Sequence, residues 1–193
     1  MNYIIVDLEA TCWENDRSKR NEIIEIGAVK LDDHLNVVSE FQAFVKPKLY
    51  PQLSEFCMQL TSIEQHDVDH AATFETVLED FQSWMGSNYW LCSWGYYDKK
   101  QLKSDCDLHK QPTSWLRNHI SIKHQHGAIL KEKLENAGAS KSEVKRVEHG
   151  VGMEKALKIL KIPLEGTHHR GIDDARNIAK IFVAIFDDLK FKL

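Results

Sequence analysis

The stretch Tyr3-Ile4-Ile5-Val6-Asp7-Leu8-Glu9-Ala10-Thr11 joins an apolar run to two acidic residues. The apolar run predicts a buried first β-strand. Alternate side chains of a strand share a face, so Asp7 and Glu9 point the same way. Neighbouring carboxylates in a buried place repel each other and lose hydration, and a divalent cation relieves both costs. We therefore predict that Asp7 and Glu9 form half of a metal site, although Asp-x-Glu alone more often marks a solvated strand end.

The length and composition of the chain predict one soluble domain. It has 193 residues, of which 42% are hydrophobic and 28% charged, and no apolar run approaches the length of a membrane span. No basic signal-peptide segment precedes the first strand, so we expect a cytoplasmic protein without a membrane partner. The net charge of −4 argues against a broad surface for long duplexes. If the protein handles nucleic acid, we expect it to grip a short stretch near an end.

The order of the predicted elements indicates an α/β domain that covers residues 1–193. Three strands form a meander, and alternating helices and strands follow it, which predicts a mixed five-stranded sheet flanked by helices. In the second strand, Gly27 and Ala28 permit close approach of another element. In the third strand, Val37, Phe41 and Phe44 are candidate core residues. The predicted strands cover residues 3–9, 22–31, 35–45, 89–94 and 115–122, and the longest helix covers residues 172–189.

Two further acids can complete a metal site. Asp98 follows the fourth strand, at the carboxyl end where open α/β sheets bind ligands; the alternative is an ordinary aspartate in the first turn of a helix. In the last helix, Asp174 lies one turn before the apolar stripe that begins at Ile178, so it points inwards, whereas Asp173 points to solvent. An inward acid needs a partner, and a metal shared with Asp7 would provide one.

A histidine lies close to this helix in the sequence. His169 precedes it by a short loop and can lean over the same site. Its ordinary pKa lets it accept a proton near neutral pH. The other nine histidines are expected at the surface: His34, His66, His70, His109, His119, His124, His126, His149 and His168.

Together these residues resemble the DEDDh class of 3′→5′ exonucleases. The class has Asp-x-Glu, then Asp, then His five residues before a last Asp, as in Asp7, Glu9, Asp98, His169 and Asp174 here. Segments of the class are also similar, in the same order, to residues 7–12, 22–28, 56–63, 94–98 and 169–179. The resemblance is closest to the Eri-type (histone-mRNA 3′-exonuclease-like) branch, whose members act mostly on RNA.

The resemblance implies an RNase H-like fold and a two-metal reaction. Two Mg²⁺ or Mn²⁺ ions would be held by Asp7, Glu9, Asp98 and Asp174, with His169 as the general base. Carboxylate oxygens suit these cations, and two ions can stabilise both the attacking and the leaving oxygen of a phosphoryl displacement. The implied product is a nucleoside 5′-monophosphate, released from the 3′ end of a nucleic acid, with RNA favoured over DNA.

The resemblance also implies contacts with the substrate. Leu60 would lie against the terminal bases, and Thr61 and nearby backbone would meet the 3′ end. Ser62 stands where the family usually has glycine. Ala10 and Thr11 would border the terminal sugar.

Other candidate contacts come from residue type alone. Trp13 can stack on the last base, or it can pack as an ordinary aromatic residue. Arg17, Lys19, Arg20 and the basic segment 141–146 are candidates for phosphate contacts. A solvated charged surface is the alternative for each of them.

Two rival functions remain open. One is a DNA-directed DEDDh exonuclease of the proofreading or repair type, which a contact to the 2′-hydroxyl would distinguish. The other is a catalytically silent RNase H-like domain that binds nucleic acid or a protein. The presence of all four acids together with His169 argues against a silent domain. The sequence identifies no protein partner.

Overall fold

The computed structural model describes residues 1–16 and 18–190 and shows a mixed sheet between two layers of helices. Arg17, a predicted phosphate contact, lies outside the described residues. The strands are β1 (Asn2–Ala10), β2 (Ile23–Leu31), β3 (Val37–Lys46), β4 (Ala72–Thr73), β5 (Tyr89–Ser93) and β6 (His119–Ser121). Their order in the sheet is β4-β3-β2-β1-β5-β6, with β1 to β3 an antiparallel meander and the other three pairs parallel.

The helices cover both faces of this sheet. They are α1 (Glu55–Thr61), α2 (Gln65–Asp69), α3 (Phe74–Met85), α4 (Tyr97–Leu108), α5 (Ile122–Asn136), α6 (Lys141–Lys145), α7 (Met153–Leu160) and α8 (Gly171–Ile185), with short 3₁₀ helices at Ser114–Leu116 and Phe186–Asp188. Tyr3 and Ile5 lie in a core with α5, α7 and α8, whereas Ile4 and Val6 lie in a core with α3 and α4. Within the described part of the chain, no helix is long and apolar enough to cross a membrane.

The predicted α/β class and the three-strand meander are confirmed, but the predicted number of strands is wrong. The sheet has a sixth strand, β4, which is only two residues long and pairs with the end of β3, too short to show a pattern in the sequence. The last strand begins at His119 because residues Ser114–Leu116 form a 3₁₀ helix. Val37 is not a core residue, since it is 61% exposed at the start of β3.

Strand β1 occupies the centre of the sheet, and this position explains why its end can carry a site. β1 pairs with β2 on one side and with the parallel strand β5 on the other. Parallel strands end at the same edge of a sheet, so the acidic end of β1 lies beside the end of β5, from which Asp98 follows.

Helix α8 crosses the sheet at very short distance. A Cβ atom on Gly27 would lie 2.1 Å from the carbonyl carbon of Gly171, the first residue of α8. A Cβ atom on Gly171 would lie 3.1 Å from the carbonyl oxygen of Asp7. The close approach predicted at Gly27 is therefore confirmed, and it places the first turn of α8 beside the acidic end of β1.

Ser62 ends helix α1 in a left-handed conformation, with φ 57°. Glycine adopts this conformation without steric cost, which explains the usual glycine at this position of the family.

We expect Ser62→Gly to raise the free energy of unfolding by about 0.5–1 kcal/mol, because it removes this backbone strain. In a chain of this length the melting temperature would rise by about 2–4 °C, which thermal unfolding measures. Ser62→Ala is the control, since alanine keeps the strain. An equal rise in both variants would contradict the explanation.

Candidate active site

The carboxyl ends of β1 and β5 and the first turn of α8 bring the four predicted acids to one cavity. Carboxylate oxygens of Asp7, Glu9 and Asp174 lie within 4.8 Å of one another. Asp98, in the first turn of α4, lines the same cavity of about 640 Å³. Helix α8 directs Asp174 inwards, as its position one turn before the apolar stripe of the helix predicts, and leaves it 4% exposed.

Burial and mutual repulsion raise the pKa of two acids of this cavity, Glu9 and Asp7. Burial raises the pKa of Glu9 to about 8, with added repulsion from Asp174 and Glu25. Burial also raises the pKa of Asp7, to which Asp98 and Glu9 add their repulsion. The pKa of Asp98 rises to about 6, mainly through burial. Such a cluster of oxygen ligands fits a divalent cation, which neutralises the repulsion that the protein alone leaves.

Two histidines flank Asp174. Nδ1 of His168 lies 2.9 and 3.0 Å from the two carboxylate oxygens, and the backbone N–H of His169 donates to one of them at 3.0 Å. The two rings stack with 4.0 Å between their centroids. Burial, together with the charge of His168, lowers the pKa of His169. His169 is therefore neutral near pH 7 and can accept a proton, while a cation on Asp174 would compete with His168 for the same oxygens.

The expectation that the other histidines lie at the surface is wrong for four of them. His168 is half-buried against Asp174, His119 is half-buried beside Ser93, His126 is 1% exposed, and the side chain of His109 is buried beside Glu75. His168 is the one that touches the predicted acids. Sequence reasoning missed it because both neighbouring histidines share a loop, whose direction no periodicity reveals.

Glu25, which the sequence did not single out, holds α8 in place. Its carboxylate is fully buried and accepts hydrogen bonds from the backbone N–H of Gly171 at 2.9 Å and from Gln42 at 3.0 Å. Arg170 pairs with it at 3.2 Å. A carboxylate at a helix N-terminus is favourable, so Glu25 fixes the turn that carries Asp174.

Helix α4 is anchored in a similar way. The buried Asp105 accepts a hydrogen bond from the backbone N–H of Ile23 in β2 at 3.1 Å. Gln101 donates to Asp105 at 2.6 Å and to the carbonyl oxygen of Asn21 at 2.8 Å. These contacts hold the helix whose first turn presents Asp98.

The predicted substrate contacts lie outside this cavity. Over the residues that the structure describes, its lining does not include Ala10, Thr11, Trp13, Leu60 or Thr61. Thr11 and Thr61 are each 1% exposed. The Thr11 hydroxyl accepts from the backbone N–H of Glu22, and the Thr61 hydroxyl donates to the carbonyl oxygen of Cys57. Leu60, by contrast, is 38% exposed.

Three of the remaining candidates, Trp13, Lys19 and Arg20, make contacts within the protein. Trp13 packs edge-to-face on Tyr50, with 4.9 Å between ring centroids, and Lys19 lies over its ring. These contacts describe packing within the protein, and the stacking of Trp13 on a base stays a prediction. Arg20 bonds to the hydroxyl and the carbonyl oxygen of Ser104. Residues 141–145 form the short helix α6.

Fold and site together define a class of protein. A mixed sheet that carries Asp-x-Glu on its central strand, with Asp, His and Asp following in that order around one cavity, is the arrangement of the DEDDh nucleases. The Exonuclease (RNase_T) family matches residues 4–182, and this chain belongs to that family.

Comparison with individual relatives confirms the resemblance to the Eri-type branch. The chain is 34% identical to 3′-5′ exoribonuclease 1 of Rattus norvegicus over 197 residues, which covers 95% of this chain and 52% of the relative. The chain thus spans about half the length of this relative. Among solved structures it is similar to the nuclease domain of 3′hExo, a DEDDh family member bound to rAMP, with 30% identity, a TM-score of 0.82 and coverage of 100% of this chain and 96% of that one.

A second solved structure concerns recognition of the 3′ end of the histone mRNA stem-loop by 3′-exonuclease. Here the TM-score is 0.80 and the identity 30%, over 97% of this chain and 64% of that one. The likeness extends over nearly the whole chain, so the RNase H-like fold is confirmed.

We expect Gly27→Ala to lower the free energy of unfolding by about 3 kcal/mol, because the new methyl group would overlap the first residue of α8. Urea unfolding measures the change. Gly152→Ala is the control, since a Cβ atom there meets nothing within 4 Å and the cost should stay below about 1 kcal/mol. Equal costs in the two variants would contradict a close contact at Gly27.

We expect Asp7→Asn to stabilise the metal-free protein by about 2 kcal/mol at pH 8, because it removes one charge from the cluster. The folded protein raises the pKa of Asp7, so the unfavourable contribution is absent at low pH and grows as pH rises above the ordinary value. Thermal unfolding in EDTA should therefore show that Asp7→Asn raises the stability by less at pH 5 than at pH 8. A gain that does not change with pH would contradict this electrostatic cause.

Proposed function

We propose that this chain is a divalent-metal-dependent 3′→5′ exonuclease that releases nucleoside 5′-monophosphates, with RNA as the favoured substrate. The observation that carries the proposal is the convergence of Asp7, Glu9 and Asp174 within 4.8 Å, in a cavity that Asp98 and His169 also line. The exoribonuclease names of the relatives support the choice of RNA.

In this proposal Asp7, Glu9, Asp98 and Asp174 hold two Mg²⁺ or Mn²⁺ ions. Bound ions of this kind supply positive charge at the phosphate and lower the pKa of a water. The task of the four side chains is to hold oxygen ligands at fixed positions. Burial raises the pKa of Glu9, so cation binding must displace a proton at neutral pH, and affinity for the metal should rise with pH.

His169 is the proposed general base. It lines the acidic cavity, and its backbone N–H is fixed by a hydrogen bond to Asp174. Its lowered pKa keeps the ring neutral and ready to take a proton from the attacking water. The ring of His168 stacks on it and limits its orientation.

The 3′-terminal nucleotide would extend from this cavity towards the ends of β1 and α1. The exposed side chain of Leu60 supports a contact with the terminal base. The hydroxyl groups of Thr11 and Thr61 are used inside the protein, so Ala10, Thr11 and Thr61 would border the nucleotide mainly through their backbone. A stacking role for Trp13 would require its ring to leave Tyr50.

The direct test is an assay on single-stranded RNA and DNA of the same sequence, labelled at the 5′ end and carrying a 3′-hydroxyl. We expect a ladder shortened from the 3′ end in Mg²⁺ or Mn²⁺, faster on RNA, with release of 5′-monophosphates and no reaction in EDTA. Asp7→Asn and Asp174→Asn should lower kcat by at least about 10³-fold, because each removes a proposed metal ligand. His169→Ala should lower kcat by about 10²–10⁴-fold.

Asp173→Asn is the matched control for Asp174→Asn. Asp173 faces away from the cavity, where it accepts hydrogen bonds from the backbone N–H of Thr167 and from Arg176. We expect this variant to keep nearly full activity. Wild-type protein that degrades neither polymer would refute the enzyme, and faster reaction on DNA would favour the DNA-directed alternative.

A further inference from the structure

A second cavity adjoins the acidic one and carries the opposite charge. It has about 400 Å³, and its basic lining consists of Lys99, Lys100, Lys103 and Arg117. We call it the basic groove. Tyr96 and Lys100 line both cavities. A polynucleotide strand that leaves the acidic cavity past Tyr96 would therefore enter the basic groove directly.

The positive charge of the basic groove is mostly uncompensated. Lys103 pairs with Asp107 at 2.6 Å. Within residues 1–16 and 18–190, no carboxylate lies within ion-pair distance of Lys99, Lys100 or Arg117. The protein as a whole has a net charge of −4, so this local positive charge stands out from its surface and favours an anionic partner.

Tyr96 forms a rigid aromatic surface at the entrance to the groove. Its side chain remains 49% exposed, although its ring lies 4.8 Å from the ring of His124 and 5.8 Å from that of His119. Hydroxyl groups fix both imidazoles, at 2.9 Å between Ser93 and His119 and at 2.6 Å between Ser121 and His124. An exposed ring on a fixed support suits stacking by an unpaired base.

One of the two histidines beside Tyr96, His119, supports the ring without adding a positive charge at neutral pH. Burial, with the nearby charge of Lys99, lowers the pKa of His119 to about 4. The cationic side of the groove is thus formed by lysine and arginine side chains.

We propose that the basic groove binds the single-stranded segment that precedes the 3′-terminal nucleotide. Lys99, Lys100 and Arg117 contact its phosphates, and Tyr96 stacks on one of its bases. This inference rests on the proposed function and specifies its substrate as an unpaired strand several nucleotides long. A base in a duplex is already stacked on its neighbours, so it cannot use Tyr96 without first being unstacked.

Binding tests the phosphate contacts without any reaction. Fluorescence anisotropy would follow a single-stranded RNA of about twelve nucleotides in EDTA, a length sufficient to fill a groove of this kind. We expect Lys99→Gln/Lys100→Gln/Arg117→Gln, which removes the three proposed phosphate contacts, to bind on the order of tenfold more weakly. The slope of log K against log salt concentration should fall by about 2, since each phosphate contact on a single strand contributes about 0.7.

The charge-matched control is Lys131→Gln/Lys133→Gln/Lys158→Gln, on α5 and α7. Lys133 and Lys158 are exposed, the side chain of Lys131 is 45% exposed, and all three lie outside both cavities. Wild-type affinity in this control supports the proposal. An equal loss of RNA affinity in both triple variants would mean that only net charge matters. Unchanged RNA affinity in the groove variant would mean that the groove binds another anionic partner, such as an acidic protein. Either result overturns the proposal.

Variants of Tyr96 test the stacking contact separately. Tyr96→Ala should weaken binding of the same RNA by about tenfold, and Tyr96→Phe, which keeps the ring, should restore it. Equal affinity of the alanine variant and the wild type would remove Tyr96 from the site.

Activity on strands of different length separates this proposal from the proposed function. We expect the loss of kcat/KM in the groove variant to be smallest on a dinucleotide and on the order of tenfold on the longer strand. If wild-type protein degrades neither, the exonuclease proposal fails. If it degrades both and the groove variant loses the same factor on each, the exonuclease proposal stands and the groove proposal fails.

Discussion

The close contact between Gly27 in β2 and Gly171 at the start of α8 is the constraint on which the site depends. No side chain fits between the two backbones, so α8 lies directly on the sheet. Glu25 then accepts the N–H of Gly171 and the side chain of Arg170, which fixes the direction of the helix. Because Asp174 lies only one turn further along, a displacement of α8 by the thickness of a methyl group would separate it from the acids of β1.

The acids that this contact brings together oppose folding by their charge. The protein reduces this cost only in part, by pairing His168 with Asp174 and Arg170 with Glu25. The raised pKa values of Asp7 and Glu9 reflect the cost of burial and repulsion that is not compensated. Two apolar cores, one on each face of the sheet, support this unfavourable group. Stability is thus supplied by the layers around the sheet, and the cavity is left with the charge that binding of a cation requires.

The sequence predicted those features that follow from a repeating pattern. Alternation along β1 paired Asp7 with Glu9, and the helical phase separated Asp174 from Asp173. It did not predict features that depend on where distant elements meet. The anchoring role of Glu25, the contact of His168 with Asp174 and the two-residue strand β4 all arise from tertiary placement, and no local period encodes them. Val37 is the opposite case, because its residue type predicted a core position but tertiary placement leaves it exposed.

The same distinction applies to the basic residues. Net charge indicated that contacts with nucleic acid would be local, but it could not indicate their position. Lys19 lies over Trp13, and Arg20 bonds to Ser104, so two of the candidates from the sequence are already occupied. Lys99 and Arg117 form no ion pair among the described residues. Lys99 lies beside the acidic cavity because α4 begins where β5 ends, and Arg117 lies there because it precedes the neighbouring strand β6. The strand order that places Asp98 in the acidic cavity therefore also places the positive charge of Lys99 beside that cavity.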